Sequence, residues 1–191
     1  MRNDRNPEVK DIRFIDSHYR DLFRLPDGGC IQVTYPDETV MKRCTFIDEY
    51  HTQIGYNVFH ICQFAEIMER NGATYQAEPE IMGDEAAWKV GRDRILALQA
   101  TDNGYDYTLY DNNFAELDGG RLDNPDLTTI QARTEILDSH SLGKRDLKAM
   151  IYDDVLEWAD EARKPSVREQ LSRKQEPPVA KPHHNHKAPE R

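Results

Sequence analysis

The chain has 191 residues, 38% of them hydrophobic, a mean hydropathy of −0.84 and a formal net charge of −10. That length suits one mid-sized domain or two small ones packed together, and so polar a composition leaves part of the chain outside any core. The longest apolar runs are too short to cross a bilayer, and Met1-Arg2-Asn3-Asp4 opens no signal peptide, so a cytoplasmic protein with no membrane attachment is expected.

The charge is uneven. Residues 164–191 carry seven basic and three acidic side chains, a balance of +4 that leaves −14 for the remainder. An acidic body does not attract a phosphate backbone, so direct nucleic-acid binding is not expected. A basic surface on another protein, including one that normally holds nucleic acid, is the better-matched partner. The three cysteines, Cys30, Cys44 and Cys62, are an odd number without CxxC spacing, which points to reduced, buried thiols.

Taken in order, residues 1–10 are a polar, frayed lead-in. A short strand is expected over 21–25, then a turn at Pro26-Asp27-Gly28-Gly29. Alternation over 30–35 gives a half-buried strand, Pro36-Asp37-Glu38 a turn, and 40–50 a third strand. Next comes the clearest helix. Ile61, Phe64, Ala65 and Met68 recur at i, i+3, i+4 and i+7, and Asn71-Gly72 stops the run. Three strands in a meander plus this helix make a βββα unit, with 74–77 as an edge strand. Residues 78–85, with Pro79, Gly83 and four acids, are the best internal boundary.

A second unit follows. Strands are expected over 87–90 and 95–101, flanking Gly91, and Asp102-Asn103-Gly104 reads as a hairpin turn with a positive-φ residue pair. Residues 105–111 alternate, Asp111-Asn112-Asn113 turns, and 114–117 returns as a short strand ended by Asp118-Gly119-Gly120. Asp126 is placed to cap a helix over 127–138 whose core face is Leu127, Ile130, Thr134 and Leu137. After the break at Ser141-Leu142-Gly143, residues 145–163 read as a third helix. Its stripe is Leu147, Ile151, Val155, Trp158 and Ala162, and Asp153, Asp154, Glu157, Asp160 and Glu161 cover the rest. Such a stripe docks on the protein's own sheet or on a partner. Residues 164–191 hold half the prolines and few apolar side chains, and are expected to be disordered. His183, His184 and His186 lie there without preorganisation for a metal.

The chemistry-bearing side chains crowd into the stretch 46–72, FIDEYHTQIGYNVFHICQFAEIMERNG. Asp48, Glu49 and His51, with Glu66, are the candidate acid–base set, because carboxylates near an imidazole drive pKa values apart. Cys44, His51, His60 and Cys62 are the candidate zinc ligands by type, although their spacing is not that of a zinc ribbon. The chain has no GxSxG, P-loop, HExxH or GxGxxG motif, and no cofactor is implied. Tyr105, Tyr107, Tyr110 and Phe114 resemble a base-stacking platform in residue type only. Their neighbours Asp106, Asp111 and Asp118 repel phosphate, so ordinary strand packing is expected.

The segment 21–78, with FRLPDGG, TFIDEYH and HICQFAEIMERNGATYQ, resembles a large polyvalent protein-associated domain family. The segment 86–140, WKVGRDRILALQATDNGYDYTLYDNNFAELDGGRLDNPDL within it, resembles the YodL-like family. The resemblance implies a setting: proteins of conjugative elements and phages of gut Firmicutes, beside methylase, primase, helicase or antirestriction modules. It carries no catalytic residue onto this chain. The expectation is an α+β protein of two small antiparallel sheet-plus-helix units, a C-terminal helix and a disordered tail. Its expected role is a non-enzymatic, protein-binding accessory or counter-defence factor, with Asp153, Asp154, Glu157, Trp158 and Glu161 as the partner-binding set. The alternatives are a metal-assisted hydrolase or nuclease using His51, His60 and the nearby acids, and a scaffold protein that binds through the helix 145–163.

Overall fold

A computed structural model describes residues 10–164; the expected lead-in, apart from Lys10, and the tail after Lys164 lie outside the described residues. The first strands are β1 (Asp11–Ile15) and β2 (Asp21–Pro26), which pair antiparallel as a separate two-stranded ribbon rather than joining a meander. β3 (Cys30–Thr34) and β4 (Thr39–Phe46) follow. The long strand expected over 40–50 stops at Phe46. There the Asp48 carboxylate accepts the backbone N–H groups of Tyr50 and His51, both at 2.8 Å, and so closes a turn that competes with the ladder. The chain then makes a hairpin unforeseen in the sequence, β5 (His51–Ile54) and β6 (Asn57–His60), turning at Gly55 with φ +60°.

The helix α1 (Ile61–Arg70) buries Ile61, Phe64, Ala65 and Met68, the face read from its periodicity. Burying the three large ones is worth up to about 5–9 kcal/mol before entropy. Phe64 and Met68 pack with Ile31 and Val33 of β3, Val40 and Cys44 of β4, and Phe14 of β1, while Ile61 and Ala65 pack with Ile15 of β1. β7 (Thr74–Ala77) is the expected edge strand, paired with β3.

The second half runs β8 (Glu85–Val90), β9 (Arg94–Thr101), β10 (Gly104–Asp111) and β11 (Glu116–Leu122) as an antiparallel meander. At the β9–β10 turn, positive φ falls on Gly104 alone (φ +143°), not on a residue pair. A Cβ there would lie 2.0 Å from the Leu122 carbonyl oxygen. Gly119 and Gly120 do not end the return strand but sit inside β11, opposite Thr108 and Tyr107, where a Cβ on Gly120 would meet the Tyr107 ring.

The helix α2 (Thr129–Ser139) is capped by Thr128, not Asp126: Thr128 and Gln131 form a reciprocal capping box. Its buried face is Ala132, Arg133, Ile136 and Leu137, rotated from the expected one, and Leu127, Ile130 and Thr134 are only half-buried.

The single helix expected over 145–163 is two elements, β12 (Leu147–Met150) and α3 (Tyr152–Arg163). β12 fills the gap between β8 and β4, so tertiary pairing overrides the local 3–4 spacing. Of the stripe, Leu147 and Val155 are buried but on different elements. Ile151 is 67% exposed and Trp158 41% exposed.

β12 joins the halves into one antiparallel sheet of order β11-β10-β9-β8-β12-β4-β3-β7, with the β5–β6 hairpin branching from β4. Strand alternation assigns the faces. Met41, Trp88, Val90, Leu96, Leu98 and Leu147 face α2. On the opposite face α1 covers the β3–β4 region, and α3 covers Ala87, Ile95, Ala97 and Tyr110. The architecture is α+β. Among the described residues, no helix is long and apolar enough to cross a membrane.

Candidate functional site

The β5–β6 hairpin brings two of the candidate residues together. His51 and His60 are direct cross-strand partners, with ring centroids 5.2 Å apart and edge to face. Nδ1 of His51 lies 2.9 and 3.0 Å from the two Asp48 oxygens, and the Tyr50 ring stacks on His60. Asp48 is held below the usual carboxylate range, first by the Tyr50 N–H and then by His51.

His60 is the N-cap of α1. Its Nδ1 accepts the Cys62 N–H at 3.2 Å. An accepting Nδ1 puts the proton of the neutral ring on Nε2, so neither nitrogen offers a lone pair outward.

The other candidates do not join this pair. Cys44 pairs across from Ile54, three residues along β5 from His51, which places it roughly 10 Å away at strand rise. It is fully buried, with its thiol pushed well above the ordinary value by burial. Cys62 is half-buried, and Glu49 and Glu66 are exposed. Among the described residues, no group of three or more His, Cys, Asp or Glu side chains is arranged to hold a metal ion. The hairpin thus orients an Asp–His dyad and caps a helix.

The aromatic row disperses into packing. Tyr105 donates to the Leu127 carbonyl at 2.8 Å, Tyr107 meets the His140 ring, Tyr110 is buried under α3, and Phe114 packs on Trp158 with centroids 5.2 Å apart.

The residue that sequence reasoning missed is Arg133. It is 0% exposed, and its guanidinium is forked onto Glu78, whose side chain is 4% exposed. Nη2 also lies 3.4 Å from Cys30 Sγ, and the guanidinium sits 5.0 Å over the Trp88 ring. Burial alone would lower the Arg133 pKa; Glu78 and Cys30 reverse that and raise it. The same burial pushes the Cys30 thiol up to about 11. Nε of Arg133 is buried without a partner. The only sequence signal was an arginine set among Ala132, Ile136 and Leu137.

Glu78 belongs to the stretch read as a boundary. Together with Lys42–Asp146 and Arg43–Asp138, the Arg133–Glu78 pair ties residues before 80 to residues after 130.

α3 carries the five residues expected to bind a partner. Val155 and Ala159 anchor it; Asp153, Glu157 and Glu161 are exposed, Asp154 is half-buried, and Trp158 rests partly on Phe114. Arg163 pairs with Glu116 at 2.8 Å, holding the end of the helix to β11.

No curated protein and no solved structure gives a significant match to the chain. A family match exists on the second half, where it takes in the five strands β8 to β12 with α2 and α3 on opposite faces. That places the polyvalent-protein resemblance on this half rather than on 21–78, and the stretch read as YodL-like lies inside it. Over residues 82–162 the chain is similar to the family of large polyvalent protein-associated domain 16.

Proposed function

We propose that the chain is a non-enzymatic, protein-binding accessory module of a mobile genetic element, and that it acts through the outer side of α3. The observation that carries this reading is the polyvalent-protein family match over 82–162, which ends within that helix. The YDYTLYD…DGG…LDNPD pattern, read as YodL-like, belongs to the same setting.

Two further features support it. Two titratable side chains of 46–72 have structural duties, Asp48 in a turn and His60 as a cap. α3 keeps Asp153, Glu157, Asp160 and Glu161 in solvent around a partly open Trp158, and a ring beside exposed acids suits a basic, arginine-rich surface.

Full-length protein is used as bait in cells carrying the element, alongside the Glu157→Lys/Glu161→Lys variant. Both positions are exposed, so the fold is expected to survive. A specific partner should be captured by the wild type and lost by the variant. Equal capture by both refutes this surface, and no specific partner at all counts against the module reading. In the counter-defence form, the partner is a nucleic-acid-binding host protein blocked by charge mimicry. Inhibition of such a protein should weaken with added salt, and insensitivity to salt excludes mimicry.

A further inference from the structure

Between the regions covered by α1 and α3, the second face of the sheet opens into a groove of about 870 Å³ lined by Tyr56, Lys89, Arg92, Arg145 and Lys148, among others. Lys89 of β8 and Lys148 of β12 are direct antiparallel partners. Like charges placed opposite each other on neighbouring strands repel. Neither lysine, nor Arg92, has an acid partner among the described residues. The groove's acids are largely engaged: Asp93 binds Arg94 and Arg145, and Asp146 holds the Lys42 ammonium with both oxygens at 2.9 Å. Glu38 is the one lining acid without a cation among the described residues. A locally cationic groove therefore sits in a molecule of net charge −10.

We propose that this groove binds a phosphorylated small molecule of nucleotide size, with its phosphates among Lys89, Lys148 and Arg92 and its ring against Tyr56. The volume falls in the range of roughly 300–1,000 Å³ typical of small-ligand sites. A phosphate placed between the two lysines converts their repulsion into charge-assisted hydrogen bonds. Tyr56, 68% exposed at the hairpin tip, offers an open π-face to a base. The net charge decides between a small ligand and a strand. A polyanion extends beyond the Debye length of roughly 8–10 Å and meets the acidic body, whereas a nucleotide stays beside the groove's own cations. The proposal does not depend on α3 or on the protein-binding reading.

The test is a calorimetric titration of the full-length chain with ATP and, separately, with inorganic triphosphate. Both should bind with a Kd below about 1 mM, ATP more tightly. Lys89→Gln/Lys148→Gln should weaken both by at least about tenfold, with an unfolding midpoint equal to or above the wild type because the repulsion is gone. Arg92→Gln, in an exposed turn, repeats the loss without altering a strand. Tyr56→Ser should reduce ATP to the affinity of triphosphate and leave triphosphate unchanged. Absence of ATP binding at that concentration, or wild-type affinity in the lysine and Arg92 variants, overturns the site. Wild-type ATP affinity in Tyr56→Ser overturns the ring contact. Tighter binding of a short single-stranded oligonucleotide through the same lysines overturns the assignment to a small molecule.

Discussion

Arg133→Met is the most informative single change in the fold. Methionine is close in length and keeps the apolar stem that lies along Trp88, but it leaves the Glu78 carboxylate with its partner gone in a site only 4% exposed. Removing one member of a buried pair costs about 3–5 kcal/mol, mostly for the stranded charge. For a chain of this size, that lowers the thermal midpoint by roughly 6–20 °C. Urea unfolding followed by tryptophan fluorescence reads it directly, since Trp88 lies under the guanidinium. The companion is the double variant Arg133→Met/Glu78→Met, which removes both charges. A buried ion pair replaced by apolar groups is often neutral, and here Nε of Arg133 already lacks a partner, so the double variant should recover most of the loss. If Arg133→Met costs less than about 1 kcal/mol, or if the two substitutions add, the pair is not the buried joint inferred here.

Other outcomes follow from particular contacts. His140 stands with Nε2 2.7 Å from Asp118 and Nδ1 2.8 Å from the Ile136 carbonyl, so both nitrogens face acceptors and its pKa is raised above 6.5, chiefly by Asp118. A raised folded pKa means that its stabilisation is complete below pH 6.5 and is lost as pH rises through the folded value. The urea midpoint should fall over that window in the wild type and not in His140→Gln; equal slopes refute the latch. Thiol titration of the native protein should modify half-buried Cys62 first. Cys30 and Cys44, buried and pushed up, should react only on unfolding, and equal native rates refute that burial. Gly104→Ala places a Cβ against the Leu122 carbonyl at a φ that side chains avoid, and should cost at least about 1–3 kcal/mol. A neutral result in urea unfolding contradicts the turn.

Legibility followed the range of the interaction that decides each element. α1 was readable because one apolar stripe and its Asn71-Gly72 stop are local facts. The strand alternation of β3 and β10 was readable for the same reason. β5–β6 was hidden because the turn that ends β4 is made by one carboxylate, Asp48, in a run that otherwise looks extended. β12 was hidden because Leu147 sits three to four residues from the next apolar positions, as a helix requires, while its real partners Val90 and Met41 are far away in sequence. Arg133 and Glu78 lie 55 residues apart, and nothing local in either announces a pair. The candidate site was legible as a concentration of reactive types. Their duties were not, because whether a histidine caps, ligates or titrates depends on which nitrogen the fold occupies.

The joint between the halves has a form that explains why no single segment advertised it. The matched region 82–162 is a five-stranded sheet whose outer strand, β12, meets β4 in register at one residue pair, Leu147 with Met41. An uncovered strand at that position would expose a row of N–H and C=O groups, and strand edges left open invite pairing with other chains. The ladder here is too short to hold the first half in place, so side chains supply the rest. Lys42–Asp146 and Arg43–Asp138 lie near the surface, where salt screens them and each contributes little. Arg133–Glu78 lies out of reach of solvent and tolerates only a partner of matching charge and shape. Apolar burial around Met41 and Leu147 therefore joins the halves, and the forked Arg133–Glu78 contact adds a direction that apolar packing lacks. The one charged inward residue of α2, among alanine, isoleucine and leucine, is thus the one that reaches across to the first half.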